Sequence, residues 1–468
     1  MNSNIKKSLI IIFVVGLVVR LLILITGLSV GGHDFYLNYS DAVGYTRLAG
    51  NIFNGNGFSI NQAIPFEPNS TRTPLYPLFL ALSLLISGNF WVAVAFQTIL
   101  GAFIPILVYF LLKKLNFSDK ISLVVSAFFG IEPFFSAHGV FLLSEVLFIF
   151  IFLSSCVLYF HYVAKRRVFF LILSAVFLGL AALTRPIAFY MIFIFLLHMA
   201  FIGFRQWRQT LVNIGIFAAV SLLVVSPWLW RNWQQFGVAK LSSIDSVGLY
   251  LYQAGSVLAM ENGTEFEVEK RKLLDDLERE GINYKSLKYA RILNKKALDI
   301  IISHPKSFLK INSLVAWQFF THDGYYDLAW HLGFYRDGSG PPITILDLKN
   351  SILKLPKVLL ADPFFFLFIA GRVLWVIIFF AAMFGAILSL RDRANRSRDI
   401  FMLLMIAYVL LASLSIGYSI NARFRLPISV FYIAYTMFAF SHFFKTDAKN
   451  AKTDANNTNK FLISHHSH

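Results

Sequence analysis

Ten long apolar runs constrain what this sequence of 468 residues can fold into more than any other feature. They lie at Ser8 to about Val30 and at roughly 90–112, 121–137, 141–163, 168–184, 187–204, 209–227, 364–389, 400–419 and 427–444. An α-helix needs about 20 apolar residues to cross the bilayer core. Only 14% of the residues are charged, against about 25% in typical soluble domains. The pattern excludes a soluble enzyme, a disordered scaffold and a fibrous protein, and it predicts an all-α polytopic membrane protein with about ten transmembrane helices.

The distribution of basic residues predicts how these helices are oriented. The first run follows Lys6 and Lys7, is longer than the apolar region of a secretory leader, which has about 7–15 residues, and has no A-x-A-like cleavage site after it, so we expect an uncleaved helix. Alternate threading places sixteen basic residues on the N-terminal side: Lys6, Lys7, Lys113, Lys114, Lys120, Lys165, Arg166, Arg167, Arg205, Arg208, Arg391, Arg393, Arg396, Arg398, Lys445 and Lys449. The short loops opposite hold Arg47, Arg72, Arg185, Arg423 and Arg425. This asymmetry predicts cytoplasmic termini, and it explains the net charge of +17 without a nucleic-acid partner.

Two long segments then fall on the outer side. Residues 31–73 are rich in Gly, Asn and Pro, and residues 228–362 carry nearly balanced charge, with helical periodicity over 264–299 and an amphipathic run over 305–322 that could lie in the interface. The run from Pro74 to Ile86 is too short to span, so we place it as a juxtamembrane helix. The predicted parts are a transmembrane module (1–227) with a catalytic first outer loop (31–90), a mostly helical extracytoplasmic region (228–362), C-terminal transmembrane helices (363–445) and a disordered cytoplasmic tail (446–468).

Two carboxylates at the predicted outer face are candidates for chemistry. Ser40 or Asp41 could cap a helix that runs to about Phe53 and is ended by Asn54-Gly55. Alternatively, Asp41 could be a base whose pKa is raised by partial burial. Asp34, beside a flexible Gly-Gly, is the weaker candidate. Glu145 begins a transmembrane run, where a carboxylate is costly and is by default functional or paired. His138 and Glu145 would give only two metal ligands, so no metal site is predicted, although a divalent cation is left open.

Several arginines share this outer face. Arg72, Arg185, Arg231, Arg423 and Arg425 lie at the ends of apolar runs, where each could be an interfacial anchor. Positive-inside bias should deplete this face of arginine, so their common position favours phosphate binding. Arg20 and Arg372 fall within spans, where they either pair in the bundle or reach for the interface. The single Cys156 lies in an apolar run, which indicates packing and excludes a disulfide framework.

These residues form an ordered series of motifs. The series is Asp41-x-x-x-Tyr45, Gly55-Asn56-Gly57-Phe58, Arg72-Thr73-Pro74-Leu75-Tyr76-Pro77, Ser144-Glu145, Leu183-Thr184-Arg185-Pro186, Pro227-Trp228-x-x-Arg231-Asn232 and Arg423-Phe424-Arg425-Leu426-Pro427. In its order and spacing it resembles the bacterial glycosyltransferases of the GT-C fold. Specifically, it resembles family 39, the protein O-mannosyltransferase-like group, which is akin to the aminoarabinose transferase of lipid A. The resemblance covers residues 1 to about 445 and is weakest over 240–362.

The resemblance implies an inverting enzyme of the bacterial inner membrane that takes a sugar from a polyprenyl-phosphate donor at the outer face. In that family the first-loop acidic residue is the base, which matches Asp41, and the second acidic residue matches Glu145. Ala42 stands where many relatives carry a further acidic residue. Residues expected to bind substrate are Tyr45, Arg72, Tyr76, His138, Arg185, Arg231, Arg423 and Arg425. The acceptor is a lipid, a glycan or a protein, and the sequence identifies neither it nor the sugar.

Two other classes of membrane protein fit part of the pattern. A flippase for lipid-linked glycans would place its ionisable groups near the midplane, often within inverted repeats, and no such repeat is visible. An O-antigen polymerase or ligase would use a pyrophosphate-linked glycan. Sugar-dependent release of free polyprenyl phosphate distinguishes a transferase from a flippase, and the identity of the donor distinguishes it from a polymerase. The large outer segment is expected to cover the cavity and to select the acceptor.

Overall fold

The computed structural model describes residues 2–335 and 365–443, and within these ranges the chain forms helices and no strand. The end of the outer segment (336–362) and the predicted tail (446–468) lie outside the described residues. The helices are α1 (Ser3–Thr26), α2 (Ser40–Phe53), α3 (Leu75–Ser87), α4 (Trp91–Lys114), α5 (Asp119–Ile131), α6 (Pro133–Ala137), α7 (Glu145–Lys165), α8 (Val168–Thr184), α9 (Ile187–Gly203), α10 (Trp207–Phe236), α11 (Ile244–Val247), α12 (Gly255–Asn262), α13 (Phe266–Arg279), α14 (Ala290–Ser303), α15 (Pro305–Thr321), α16 (Tyr325–Leu332), α17 (Phe365–Leu390), α18 (Arg396–Leu414) and α19 (Ala422–Phe443), which opens with 3-10 turns.

Each predicted apolar run is mostly helical within the described residues. Among the described residues, seven helical segments are long and apolar enough to cross a membrane, and one of them, Ile187–Phe236, contains both α9 and α10. Two further runs give shorter helices: α8 has 17 residues, and α5 has 13. The predicted all-α polytopic membrane protein is therefore confirmed, although not every run is a full-length span.

The run predicted over 121–137 is divided by a proline. Pro133 lacks a backbone N–H and begins α6, while the carboxylate of Glu132 accepts hydrogen bonds from the backbone nitrogens of Phe134 (3.3 Å) and Phe135 (2.6 Å). This is an N-cap, in which a side-chain oxygen satisfies helix N–H groups that have no other partner. Glu132 is therefore committed to local structure.

The bundle core is built around α7, which packs against α4 and α8. Its inward face carries large apolar side chains such as Phe148 and Phe152, both fully buried. Arg20 is also fully buried, and its guanidinium donates to the backbone carbonyls of Gly16 (2.8 Å) and Gly130 (3.3 Å). Of the two alternatives for Arg20, the structure shows pairing inside the bundle.

The outer segment folds onto one end of this bundle. Helix α13 and most of α14 fall in the periodic stretch 264–299, and the two helices share a small core with α12 and the turn before it. The amphipathic run becomes α15, whose buried stripe of Ile311, Val315 and Phe319 packs toward α17 and the start of α19. At the end of α15, Asp323 Oδ2 lies 2.9 Å from Nε of Arg372, so Arg372 also pairs inside the protein.

Candidate active site

Asp41 lies at the start of α2 and is bound by two arginines from distant parts of the chain. Its Oδ1 accepts a hydrogen bond from Nη2 of Arg72 at 2.5 Å, and its Oδ2 accepts one from Nη2 of Arg423 at 2.8 Å. The N-cap position is Tyr39, and no side chain caps the helix, so the capping interpretation of Asp41 is wrong. Burial alone would raise the pKa of Asp41, but the charges and hydrogen bonds of Arg72 and Arg423 hold it well below its usual range.

Glu145 is the first residue of α7, and its side chain is 4% exposed. Its Oε1 forms an ion pair with Nη1 of Arg185 and lies 3.1 Å from Nε of Arg423. Neither carboxylate oxygen makes a hydrogen bond of regular geometry within the described part of the chain. Arg423 therefore bridges the two carboxylates, with its Nη2 on Asp41 and its Nε facing Glu145.

These five residues form what we call the acid–arginine cluster: Asp41, Glu145, Arg72, Arg185 and Arg423. Three guanidinium groups against two carboxylates leave one net positive charge in a site that is largely removed from water. Guanidinium groups bind phosphate in a bidentate manner, and weak hydration makes them suited to such sites. The cluster is thus preorganised to accept one further anion.

Two tyrosines, a serine and a glutamine form hydrogen bonds beside the cluster. Tyr45 and Ser144 share a hydrogen bond of 3.1 Å between their hydroxyls, and the guanidinium of Arg72 lies over the Tyr45 ring at 5.0 Å. The hydroxyl of buried Tyr76 donates to Oε1 of Gln97 at 2.5 Å. The structure therefore brings Tyr45 and Tyr76 next to the cluster. Gln97 was not singled out in the sequence, where it is one polar residue inside an apolar run.

His138 is buried close to the cluster and is not protonated at neutral pH. Its Nδ1 lies 2.8 Å from the carbonyl oxygen of Phe134, while its Nε2 is buried without a partner in the described residues. Burial lowers the pKa of His138 to about 4, an effect that the charge of Glu145 only partly offsets. Within residues 2–335 and 365–443, no group of three His, Cys, Asp or Glu side chains converges as metal ligands would.

Arg231 and Arg425 are not joined to this cluster. Nη1 of Arg231 donates to the carbonyl oxygen of Asn69 at 2.8 Å, and the guanidinium of Arg425 donates to the carbonyl oxygens of Phe319 (2.7 Å) and His322 (2.9 Å). Neither arginine has an ion pair with a carboxylate among the described residues. Both bind backbone carbonyls that tie segments together, and a role for them in substrate binding stays a prediction.

A cavity of about 560 Å³ opens beside the cluster. Glu145, Arg185 and Arg423, which contact one another, line its polar end, and Lys240 and Asp245, paired at 2.8 Å, also belong to the lining. The rest of the lining is mainly apolar and comes largely from α7, α9, α18 and the start of α19: Phe148, Ile149, Ile187, Phe189, Tyr190, Tyr408, Leu411, Phe424 and Pro427. The cavity therefore joins a positively charged end to an apolar body.

The short helix α16 of the outer segment lies over the segment that leads into α2. The ring of His331 stacks on that of Tyr39, with centroids 3.4 Å apart, and Nδ2 of Asn38 donates to the carbonyl oxygen of His331 at 2.7 Å. On the same helix, burial raises the pKa of Asp327 to about 6. This helix was not predicted individually from the sequence, where its only local signal is the aromatic sequence after Gly324.

Comparisons with known proteins agree with this architecture. A family model described as dolichyl-phosphate-mannose-protein mannosyltransferase matches residues 71–231, about a third of the chain. The archaeal oligosaccharyltransferase AglB from Archaeoglobus fulgidus, in complex with an inhibitory peptide and a dolichol-phosphate, superposes with a TM-score of 0.51 at 16% identity, covering 97% of this chain and 52% of that one. The A. fulgidus oligosaccharyltransferase complex with Zn and sulfate gives a TM-score of 0.50 at 16% identity, covering 94% and 49%.

The chain thus spans about half the length of these solved structures, and at this identity the likeness concerns the fold alone. Comparison of the sequence with curated proteins finds no match. Fold and comparisons together define an all-α polytopic membrane protein of the GT-C type, as the sequence predicts.

Proposed function

We propose that this protein is a membrane glycosyltransferase that moves a sugar from a polyprenyl-phosphate donor to an acceptor hydroxyl, with Asp41 as the base. The observation that carries the proposal is the junction of the acid–arginine cluster with the apolar cavity. One end has the charge for a phosphate and the other has walls suited to an isoprenoid. The mannosyltransferase family model over residues 71–231 supports the same class of reaction.

The donor phosphate would lie at the polar end of the cavity. Arg185 and Arg423 line that end, whereas the charge of Lys240, which lines the same cavity, is balanced by Asp245. The first isoprene units would lie against Phe148, Leu411 and their apolar neighbours, and the remaining tail would extend into the bilayer. Such a ligand satisfies both halves of the cavity, whereas a nucleotide sugar would leave the apolar half unfilled.

The reaction would be a single inverting displacement. The acceptor oxygen forms a bond to the anomeric carbon as the bond from that carbon to the phosphate oxygen breaks. The acceptor proton passes to a carboxylate oxygen of Asp41, and polyprenyl phosphate leaves. Arg423 and Arg185 stabilise the charge that develops on the leaving phosphate, a preorganised electrostatic effect.

Donor binding would also raise the pKa of the base, Asp41. In the unliganded cluster, Arg72 and Arg423 hold the pKa of Asp41 below its usual range, which makes the carboxylate a weak proton acceptor. A phosphate on Arg423 neutralises part of this positive charge, so the pKa of Asp41 rises toward that of an ordinary carboxyl group. The base would therefore strengthen only when the donor is in place.

The orientation and the acceptor are part of the proposal. The basic residues near the opposite end of the bundle, such as Lys113, Lys165 and Arg205, favour the cytoplasm for that end and the outer face for Asp41. The large outer segment would select the acceptor. Exchange of residues 240–350 with those of a related protein should then change acceptor choice, and unchanged choice would refute this role.

The central test uses the purified full chain in lipid nanodiscs with a panel of polyprenyl-phosphate sugars. Wild type should release free polyprenyl phosphate in a sugar-dependent manner. Asp41→Asn should lower the rate by about 10²- to 10⁴-fold, the usual contribution of a general base. Asp34→Asn is the matched control, because Asp34 lies in the same loop, is largely exposed and pairs with its neighbour His33.

The outcomes separate the candidate functions. Equal rates for wild type and Asp41→Asn would move the base elsewhere, with Glu145 the next candidate. Failure to release polyprenyl phosphate from any monophosphate donor, together with turnover of a pyrophosphate-linked glycan, would favour a polymerase or ligase. Movement of a lipid-linked glycan without release would favour a flippase.

A further inference from the structure

A second cavity lies at the opposite end of the bundle from Asp41. It has a volume of about 450 Å³, and its lining comes from the end of α7, the start of α8, the end of α9 and the start of α10. The lining residues are Tyr162, Arg166, Val168, Ile202, Gly203, Arg205, Gln206, Gln209, Thr210 and Asn213. Since α7 has 21 residues, the cavity is roughly 30 Å from Glu145. It is therefore separate from the proposed active site.

Two largely buried side chains that line this cavity, Tyr162 and Asn213, have free hydrogen-bond donors. Tyr162 is 2% exposed and Asn213 is 7% exposed. Oδ1 of Asn213 accepts a hydrogen bond from Nε2 of Gln209 at 3.4 Å, but its Nδ2 has no hydrogen-bond partner within the described ranges. The hydroxyl of Tyr162 likewise has none there. Both residues line the cavity, so these donors are free to bind a ligand that accepts hydrogen bonds.

Two arginines line the cavity without carboxylate partners. Arg166 and Arg205 form no ion pair in the part of the chain that the structure describes. No acidic side chain lines the cavity, and the sequence from 146 to 244 contains neither Asp nor Glu. Arg166 ends α7 with a φ of 56°, a left-handed position where glycine would be less strained. The cavity thus combines two positive charges with neutral donors.

Exposed aromatic side chains place the cavity at the level of lipid headgroups. Phe169 in the first turn of α8, Phe204 just after α9 and Trp207 at the start of α10 are 63%, 83% and 57% exposed. Tryptophan and tyrosine collect at the membrane–water boundary, so Trp207 is the residue that marks this level. A ligand in the cavity would therefore lie beside the bilayer surface.

We propose that this cavity binds the phosphate of an anionic membrane phospholipid in the leaflet opposite the active site. The guanidinium groups of Arg166 and Arg205 neutralise the phosphodiester, while the Tyr162 hydroxyl and the Asn213 amide donate to its oxygens. The acyl chains lie outside, against the exposed apolar faces of α9 and α10. Basic pockets between transmembrane helices bind anionic headgroups through the same combination of charge and depth.

The test measures lipid binding to the purified full chain by native mass spectrometry, with phosphatidylglycerol against phosphatidylcholine. The double variant Arg166→Gln/Arg205→Gln should weaken phosphatidylglycerol binding about 30-fold, from about fivefold per arginine at a membrane surface. The matched control is Lys165→Gln/Arg208→Gln, which removes the same charge at the same end but from residues outside the lining. It should weaken binding at most about fivefold.

A charge-neutral variant keeps the test decisive if the double variant does not fold. Tyr162→Phe retains the buried ring and loses only the hydroxyl, so it should weaken phosphatidylglycerol binding about two- to tenfold. Equal weakening by the lining and control variants, or unchanged binding by Tyr162→Phe, would overturn the site. Displacement of the lipid by an equal concentration of inorganic phosphate would assign the cavity to a free anion and overturn the lipid.

Discussion

Arg423 is the residue whose replacement tests the proposed mechanism most sharply. It is the only side chain in the acid–arginine cluster, as the structure describes it, that faces both carboxylates. The change Arg423→Gln keeps a side chain of similar width and some hydrogen-bonding capacity, but it removes the charge. Asp41 would keep Arg72, and Glu145 would keep Arg185, so each carboxylate retains one partner.

The expected loss follows from this geometry. A hydrogen bond to a charged group contributes about 1.5–3 kcal/mol, and every 1.4 kcal/mol is about tenfold in rate. If Arg423 binds the departing phosphate, kcat/KM for the donor should fall about 10- to 150-fold. The free energy of unfolding should fall less than the 3–5 kcal/mol that is usual for a broken buried pair, because both carboxylates remain paired. Arg423→Lys should be intermediate, since an ammonium keeps the charge without the forked geometry.

The assay follows release of polyprenyl phosphate at several donor concentrations, with a thermal unfolding curve for each variant. Arg47→Gln is the matched control, since Arg47 lies on the same helix as Asp41, is exposed, and has no ion pair among the described residues. Its kcat/KM should stay within about twofold, as for most surface changes. If Arg423→Gln is folded and its kcat/KM also stays within twofold of wild type, the guanidinium does not act on the phosphate, and the mechanism is wrong.

Three further variants test the site and its supports. His138 has a pKa of about 4 in the folded protein and about 6.5 when unfolded, so between these values the unfolded chain binds more protons and the free energy of unfolding falls as the pH is lowered. His138→Gln should remove up to about 3 kcal/mol of this loss. Parallel profiles of melting temperature against pH for the variant and wild type would contradict it. Gly324→Ala adds a Cβ 2.5 Å from the Phe134 ring at a φ of +81° and should lower the free energy of unfolding by about 2–4 kcal/mol. Gly263→Ala, at a φ of +65° in open space, should lower it by about 1 kcal/mol. Equal losses for the two variants would refute the packing argument. Ala412→Trp fills the apolar body of the cavity and should raise KM for long-chain donors more than for short-chain ones, and an unchanged KM for long chains would remove the cavity from donor binding.

The sequence predicts the helices well because apolar runs are a local property. The run 168–184 is α8 residue for residue, and α2 ends at Phe53 as its Asn-Gly signal indicates. The run 121–137 was less well predicted, because Pro133 and the cap from Glu132 divide it. Length and hydropathy alone do not show where one helix ends and a polar side chain caps the next helix inside an apolar run.

The candidate site could be predicted in its residue types but not in its pairings. Asp41 was open to interpretation as a helix cap because that signal is local, whereas its actual partners are 31 and 382 residues away. Arg231 and Arg425 look in the sequence like Arg185 and Arg423, since all four stand at the ends of apolar runs. What separates them is whether a carboxylate or a backbone carbonyl faces the guanidinium, and only the packed structure determines that.

The bridge from Arg423 to Asp41 also bears on biosynthesis. Asp41 is synthesised with the first helices, whereas Arg423, its second partner, is synthesised 382 residues further along the chain. At ordinary rates of synthesis this separation corresponds to tens of seconds. During that interval the growing chain already contains the carboxylates and most of the cavity wall, yet it lacks the group shared by both acids. A chain cut short before its last helix would keep Asp41 and lose Arg423, so the activity we propose should fall in it by at least the factor expected for Arg423→Gln.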